Sequence, residues 1–218
     1  MNSRNAILAR IGAALADVPR TERYDAGAIP RDYRDSHAGV DVTALFAERA
    51  ADYRATVTRT AHAPAAIAAA LARRALAGLV VPDGFPAEWL PAELGLRRLA
   101  DRPPLSVREL DAAGGVLTTC ALAIAVTGTL VLDAGPGQGR RALSLLPDYH
   151  LCVVGADQIV GDVPEALRRL APRRPLTFIS GPSATSDIEL ERVEGVHGPR
   201  TLDIVIVDSN NPGTGGTA

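Results

Sequence analysis

The chain has 218 residues, 47% hydrophobic and 22% charged, enough to bury a sizeable core in one large domain or two small ones. Its net charge of -2 speaks against a nucleic-acid partner, which calls for a basic face. All 23 basic residues are arginine, which excludes a Schiff-base lysine, a Walker lysine and a lysine general base.

Apolar positions Ile7, Leu8, Ile11, Ala14 and Leu15 predict a first helix over 3–17 with Ser3 as its cap. Arg4 and Arg10 interrupt any signal-like apolar run, and no stretch reaches the ~18 apolar residues of a membrane span, so a cytosolic location is expected. From there to about residue 40 the chain lacks either period and reads as a long surface connection. Val42 to Tyr53 predicts a second helix, "TVTRT" a short strand, and "PAAIAAALARRALAG" a third helix starting at Pro64 and stopping at Gly78. "LVV" then reads as a buried strand, "PAEWL" as a short helix, "LRRLAD" as a strand, "VRELDAAG" as a helical turn and "GVLTTC" as a strand.

Four clearer strands follow: "TLVLD", "LCVVG", "LTFIS" and "DIVIVD". Their near-continuous hydrophobicity suits strands covered on both faces, as in α/β sheets. "PEALRRL" and "DIELERVEG" supply helices between them. The predicted fold is therefore α/β, a single mixed or mostly parallel sheet flanked by helices. It divides into an N-terminal helix and extended arm (1–40), the α/β domain (41–208) and a tail (209–218) without an apolar anchor, expected to be disordered.

Two stretches carry candidate chemistry. "TGTLVLDAGPGQGRR" combines alternate glycines with Arg140 and Arg141. Successive amides around such glycines form an anion nest, and guanidiniums pair an anion directly. The same residues read equally as a glycine-rich turn with solvated arginines. The spacing Gly135, Gly137, Gly139 matches neither a dinucleotide fingerprint nor a P-loop. In "ISGPSATSDIELERVEGVHGPR" a strand ends at Ser180, a Gly181-Pro182 turn follows, and Ser186 with Glu189 fits a capping box for a helix ending near Gly195. Ser183, Thr185 and Ser186 could supply hydroxyls at the place where open α/β sheets bind ligands. Asp187, Glu189 and Glu191 already place negative charge in the first helical turns, and an ordinary capped helix is the competing reading.

His37, His62, His150 and His197 show no paired ligand spacing, so no metal site is expected from them. His197 is the best placed for proton transfer or ligand contact, with a structural turn histidine as the alternative. Cys120 and Cys152 are too few for a four-cysteine cluster and are expected to be reduced core residues.

Together, TGT, SLLPD, SGPS, DIE and GVHGPR resemble the lactate utilisation protein C family, the LUD-domain proteins. The likeness is strong from about Gly114 to Asp208 and weaker in "RNAILARIGAAL" and "PDGFPAEWL". It implies a fold similar to the sugar-isomerase and CoA-transferase superfamily. It also implies a non-redox part in a cytosolic system that oxidises L-lactate to pyruvate, with no cofactor in this chain and iron-sulfur clusters on partner proteins. Ligand contacts are then expected at Thr127, Gly128, Thr129, Gly137, Gly139, Arg140, Ser180, Gly181, Ser183 and His197, with Asp187, Glu189 and His197 the candidates for catalysis. The alternative is a free-standing isomerase- or transferase-type enzyme, or a binding protein, for a phosphate, CoA or carboxylate. One departure bears on any catalytic role. Family members usually carry glutamate before TGT, and this chain has Val126, so a nucleophile or base at that position is missing.

Overall fold

The computed structural model describes residues 2–19, 25–31, 41–185, 193–195 and 197–208. The chain forms two compact units, Met1–Arg34 and Asp35–Ala218. In the first, helix α1 (Ser3–Ala14) is capped by Asn2, whose side chain accepts from the Arg4 amide. Asn2 thus takes the capping position expected of Ser3, because Ser3 itself has entered the first turn.

In the second unit, α2 (Val42–Asp52) starts under an Asp41 carboxylate that accepts from the amides of Thr43 and Ala44. After β1 (Thr56–Thr60) comes α3 (Ala63–Ala72), with Pro64 in its first turn. This helix ends before Gly78, which opens β2 (Gly78–Val80) instead of closing the helix. β3 (Arg98–Leu99) precedes α4 (Val107–Ala113), where Ser106 and Glu109 form a reciprocal capping box. The chain continues through β4 (Gly114–Thr119), β5 (Leu122–Ile124), β6 (Thr129–Leu132), α5 (Arg141–Leu145), β7 (Tyr149–Gly155), β8 (Ile159–Val160), α6 (Val163–Arg169) and β9 (Thr177–Ile179). A short antiparallel ribbon, β10 (Ala184–Thr185) with β11 (Val193–Glu194), leads to β12 (Thr201–Val207).

The central sheet is six-stranded and parallel throughout, in the order β1-β12-β7-β4-β2-β3. This is the mostly parallel, helix-flanked α/β sheet expected. The strong apolar runs nevertheless divide between two sheets. β7 and β12 lie in the parallel sheet, while β6 and β9 join β5 and β8 in a second, four-stranded sheet where β6 runs antiparallel to both neighbours. β6 reads like the central strands because it too is covered on both faces, whereas β9 leaves Phe178 exposed. Leu130 and Leu132 pack toward the central sheet with Phe46, Cys152 and Ile204. Val131 and Leu122 pack against Ala166 and Leu170 on and just after α6. On the opposite face of the central sheet, Ile67 and Leu71 of α3 cover Leu117, Leu151 and Val205. Each fully buried side chain of this size contributes about 1.5–3 kcal/mol.

The helix expected to run to Gly195 is corrected over its described part, since Val193 and Glu194 are strand residues paired with Thr185 and Ala184. Ser186, Asp187, Glu189 and Glu191 lie outside the described residues, as do His37 and the 209–218 tail. No helix among the described residues is long and apolar enough to cross a membrane.

Candidate functional site

The turn after β6 is built by its own side chains. The Asp133 amide donates to Gln138 Oε1 at 2.6 Å, and Asp133 Oδ1 accepts from the Gly135 amide at 3.1 Å. The Gln138 amide reaches the Gly135 carbonyl, and the Gly137 amide reaches the Asp83 carbonyl. The amides that an anion nest would present at Gly135, Gly137 and Gln138 are thus already used. Arg140 is committed as well. Its Nε and Nη2 hold the two oxygens of Asp101 at 2.7 and 3.0 Å, and Nη2 also reaches the Leu105 carbonyl at 2.6 Å. This fork holds the Asp101 carboxyl below its ordinary range. Gly139 and Arg140 line a cavity of about 810 Å³ beyond β2 and β3, whose other arginines, Arg102 and Arg174, are paired with Asp83 and Asp133.

The glycine of the TGT motif has a packing role. Gly128 has φ +58°, and a Cβ there would stand 2.6 Å from the Arg49 carbonyl carbon of α2. Gly181, at φ +81°, meets the end of the same helix, with Tyr53 O 2.5 Å from a Cβ. Both loops therefore seat on α2, which fixes the flanking hydroxyls. Thr129 is buried, and its Oγ1 donates to Thr127 Oγ1 at 2.7 Å, with the Thr127 carbonyl at 3.3 Å. Thr129 Oγ1 also lies 2.8 Å from Ser180 Oγ. The two sequence stretches singled out above thus meet through one hydroxyl contact.

Ser180 opens onto a second cavity, of about 470 Å³, shared with Gly181, Ser183, His197, Arg141 and Ser144. Ser183 Oγ accepts from the His197 amide at 3.0 Å. Arg141 is exposed, and among the described residues its guanidinium has no side-chain partner. Of the expected ligand contacts, the structure gathers Ser180, Gly181, Ser183 and His197 on this cavity. Thr127 and Thr129 stand behind Ser180. Gly128, Gly137, Gly139 and Arg140 are turned to internal contacts or to the other cavity. Asp187 and Glu189 fall outside the described residues.

Two polar clusters were not singled out in the sequence. His150 is buried within β7, its Nε2 2.7 Å from Thr118 Oγ1, and burial lowers its pKa to about 4. Asp203 is buried on the other face, accepting from the Tyr149 hydroxyl at 2.9 Å and from Arg74 Nη2 at 2.8 Å. Burial first, then Asp203, pushes the Tyr149 hydroxyl pKa upward. Cys120 and Cys152 are both free and buried. A hydrogen bond to Cys152, together with burial, raises the Cys120 thiol well above its ordinary range. Val126 is partly exposed, with its amide bonded to the Gly161 carbonyl.

This fold and motif set define a LUD-domain protein, since the LUD domain model matches residues 106–207. A "Lactate utilization protein C" of Deinococcus radiodurans is 54% identical over 170 residues, covering 74% of this chain and 77% of that protein. One of the same description from Shouchella clausii is 32% identical, covering 53% of this chain and 58% of its own length. A crystal structure of a DUF162 family protein from Deinococcus radiodurans superposes with a TM-score of 0.66 at 46% identity, over 77% of this chain and 96% of that one. The chain belongs to the LUD-domain, lactate utilization protein C family.

Proposed function

We propose that this protein serves lactate utilisation as a non-redox component that binds a small carboxylate, with electrons carried by iron-sulfur clusters on partner proteins that oxidise L-lactate to pyruvate. The observation carrying this reading is the cavity where Arg141, Ser180, Ser183 and His197 converge, in a chain 54% identical to a relative named for lactate utilization. An arginine with no competing partner among the described residues suits a carboxylate, which it can take by two parallel hydrogen bonds. Ser183 adds a donor, because its oxygen already accepts from His197 and its proton is left for the ligand. In this reading the redox centres belong to the partners, since both cysteines of this chain lie in the core.

The test is complementation. A deletion strain of the native host should recover growth on L-lactate with the wild-type gene, and not with Arg141→Ala made at the same level. Normal growth of the uncomplemented deletion strain on lactate would remove the proposal.

A second reading, a free-standing enzyme or binding protein for a phosphate or CoA ligand, rests on the larger cavity bearing Arg102, Arg140 and Arg174. There each guanidinium faces an aspartate, so the cavity has little positive charge in excess, and the carboxylate reading is the better supported.

A further inference from the structure

The chain's two cysteines meet where the fold passes from one sheet to the other. β4 ends at Thr119 in the central sheet and β5 starts at Leu122 in the second, so Cys120 and Ala121 form the crossing. We propose that Cys120 and Cys152 are an oxidative modification site: a small hydroperoxide reaching Cys120 through the adjoining cavity converts the pair to a disulfide, which fastens the crossing to β7.

Strand register brings the two sulfurs together. Thr118 of β4 is the partner of Cys152 in β7, and paired residues of neighbouring strands point to the same face of a sheet. Cys120, two residues on, shares that face, and both cysteines belong to the apolar cluster of Leu130, Leu132 and Ile204 between the sheets. The backbone on either side is held as well. Gln158 Nε2 donates to the Cys120 carbonyl at 2.9 Å, and Gln158 Oε1 accepts from the Gly155 amide at the end of β7 at 2.8 Å. The loop-closure entropy that opposes a bridge in a free chain has thus already been lost in the fold.

Access distinguishes the two thiols. Cys152 is fully buried, whereas Cys120 lines a cavity of about 510 Å³ beside the end of α6, bounded by Gln158, Leu170 and Arg174. Cys120 is therefore the sulfur that an oxidant meets, and hydrogen peroxide, small and uncharged, enters without giving up the hydration of a charge. The Cys120 thiolate attacks one peroxide oxygen: the S–O bond forms, the O–O bond breaks, and the departing hydroxide takes the thiol proton to become water. The Cys152 sulfur then attacks the Cys120 sulfenic acid. The S–S bond forms, the S–O bond breaks, and the hydroxyl leaves with the Cys152 proton as a second water, so the two thiols lose the two electrons that the peroxide gains. The hydrogen bond with Cys152, together with burial, holds the Cys120 thiol well above its ordinary range, which makes the first step slow. The second is fast because its nucleophile is already in place. Burial that penalises a thiolate leaves the uncharged disulfide unaffected, and the product suits the apolar cluster.

Exposure of the whole chain to hydrogen peroxide in buffer without denaturant, followed by unfolding, alkylation with iodoacetamide and mass spectrometry, tests this. The wild-type product should be lighter by two hydrogen atoms, take up no iodoacetamide, and yield a peptide pair joined through Cys120 and Cys152 that dithiothreitol separates. In Cys152→Ala the oxidised Cys120 has no second thiol to meet, and dimedone should trap it as the sulfenic acid. In Cys120→Ala the remaining thiol does not reach the cavity and should stay reduced. Two alkylatable thiols in the peroxide-treated wild type would overturn the proposal, as would a bond that joins two chains or one that forms only in urea concentrations that unfold the protein. Oxidation of Cys152 in Cys120→Ala as fast as in the wild type would do the same. The wild-type measurements decide the matter if either variant fails to fold.

Discussion

The Thr118 hydroxyl and Nε2 of His150 lie 2.7 Å apart on neighbouring strands of the parallel sheet, both sealed from solvent. Among the described residues Nδ1 of the same ring has no partner, so the imidazole stays in its neutral form, with a pKa lowered from 6.5 to about 4 by burial. Below pH 6.5 the unfolded chain takes up a proton that the folded chain refuses. Stability is therefore full above pH 6.5 and falls as the pH drops toward 4, by roughly 3 kcal/mol from this residue. Urea titrations at pH 7, 5.5 and 4.5 should show that loss in the wild type and a shallower one in His150→Leu. Parallel pH profiles for the two proteins would show that the histidine does not set the slope.

Gly128→Ala is expected to destabilise severely. The added methyl group would meet the α2 backbone at 2.6 Å, in a conformation with φ +58°. The left-handed backbone costs about 1–2 kcal/mol, and overpacking adds about 1–3 kcal/mol. A drop in the urea midpoint checks this. A variant as stable as wild type would mean that α2 moves aside easily.

The buried Asp203 network predicts strong coupling. Asp203→Ala leaves the buried Tyr149 hydroxyl without its acceptor and removes the partner of the part-exposed Arg74, for a loss of about 1–3 kcal/mol. Tyr149→Phe removes one charge-assisted bond, for about 1.5–3 kcal/mol. Chemical denaturation of the single and double variants should give losses that do not add, since both remove the same contact.

Arg140 and Arg141 are neighbours in sequence with separate expected outcomes. Arg140→Ala should lower the melting temperature of the apo protein by releasing Asp101 and Leu105, while leaving L-lactate binding in place. Arg141→Ala should leave the melting temperature unchanged and abolish the ligand-dependent rise. Thermal denaturation with and without L-lactate separates the two, and the reverse pattern would exchange their roles.

The division between these arginines shows what a sequence can and cannot display. The apolar runs at Tyr149–Gly155 and Thr201–Val207 are strands because continuous hydrophobicity over that length has few other homes, and those strands read directly. The TGT and SGPS stretches were also visible as motifs. Their partners were not, because Asp101 reaches Arg140 from 39 positions away, and α2 meets Gly128 from far earlier in the chain. A glycine that looks ready for an anion is thus a glycine on which a helix rests. Arg141 and Ser144 did leave a trace: spaced three apart on a short helix, they share one face, and they line one cavity. The Thr118–His150 and Tyr149–Asp203 contacts left none, since they depend on strand register, and register appears only once the sheet is assembled.

The place of β12 has a consequence for synthesis. The last strand of the described chain lies inside the sheet, with β1 on one side and β7 on the other. β1 leaves the ribosome early and finds no neighbour in the sheet until residues 201–207 follow. At about 5–20 residues per second that delay is on the order of ten seconds, during which the edge of β7 that β12 will cover also stands open. Assembly of this sheet is therefore completed only once β12 has emerged, and a chain cut short before Thr201 would leave two strand edges exposed to association with other nascent chains.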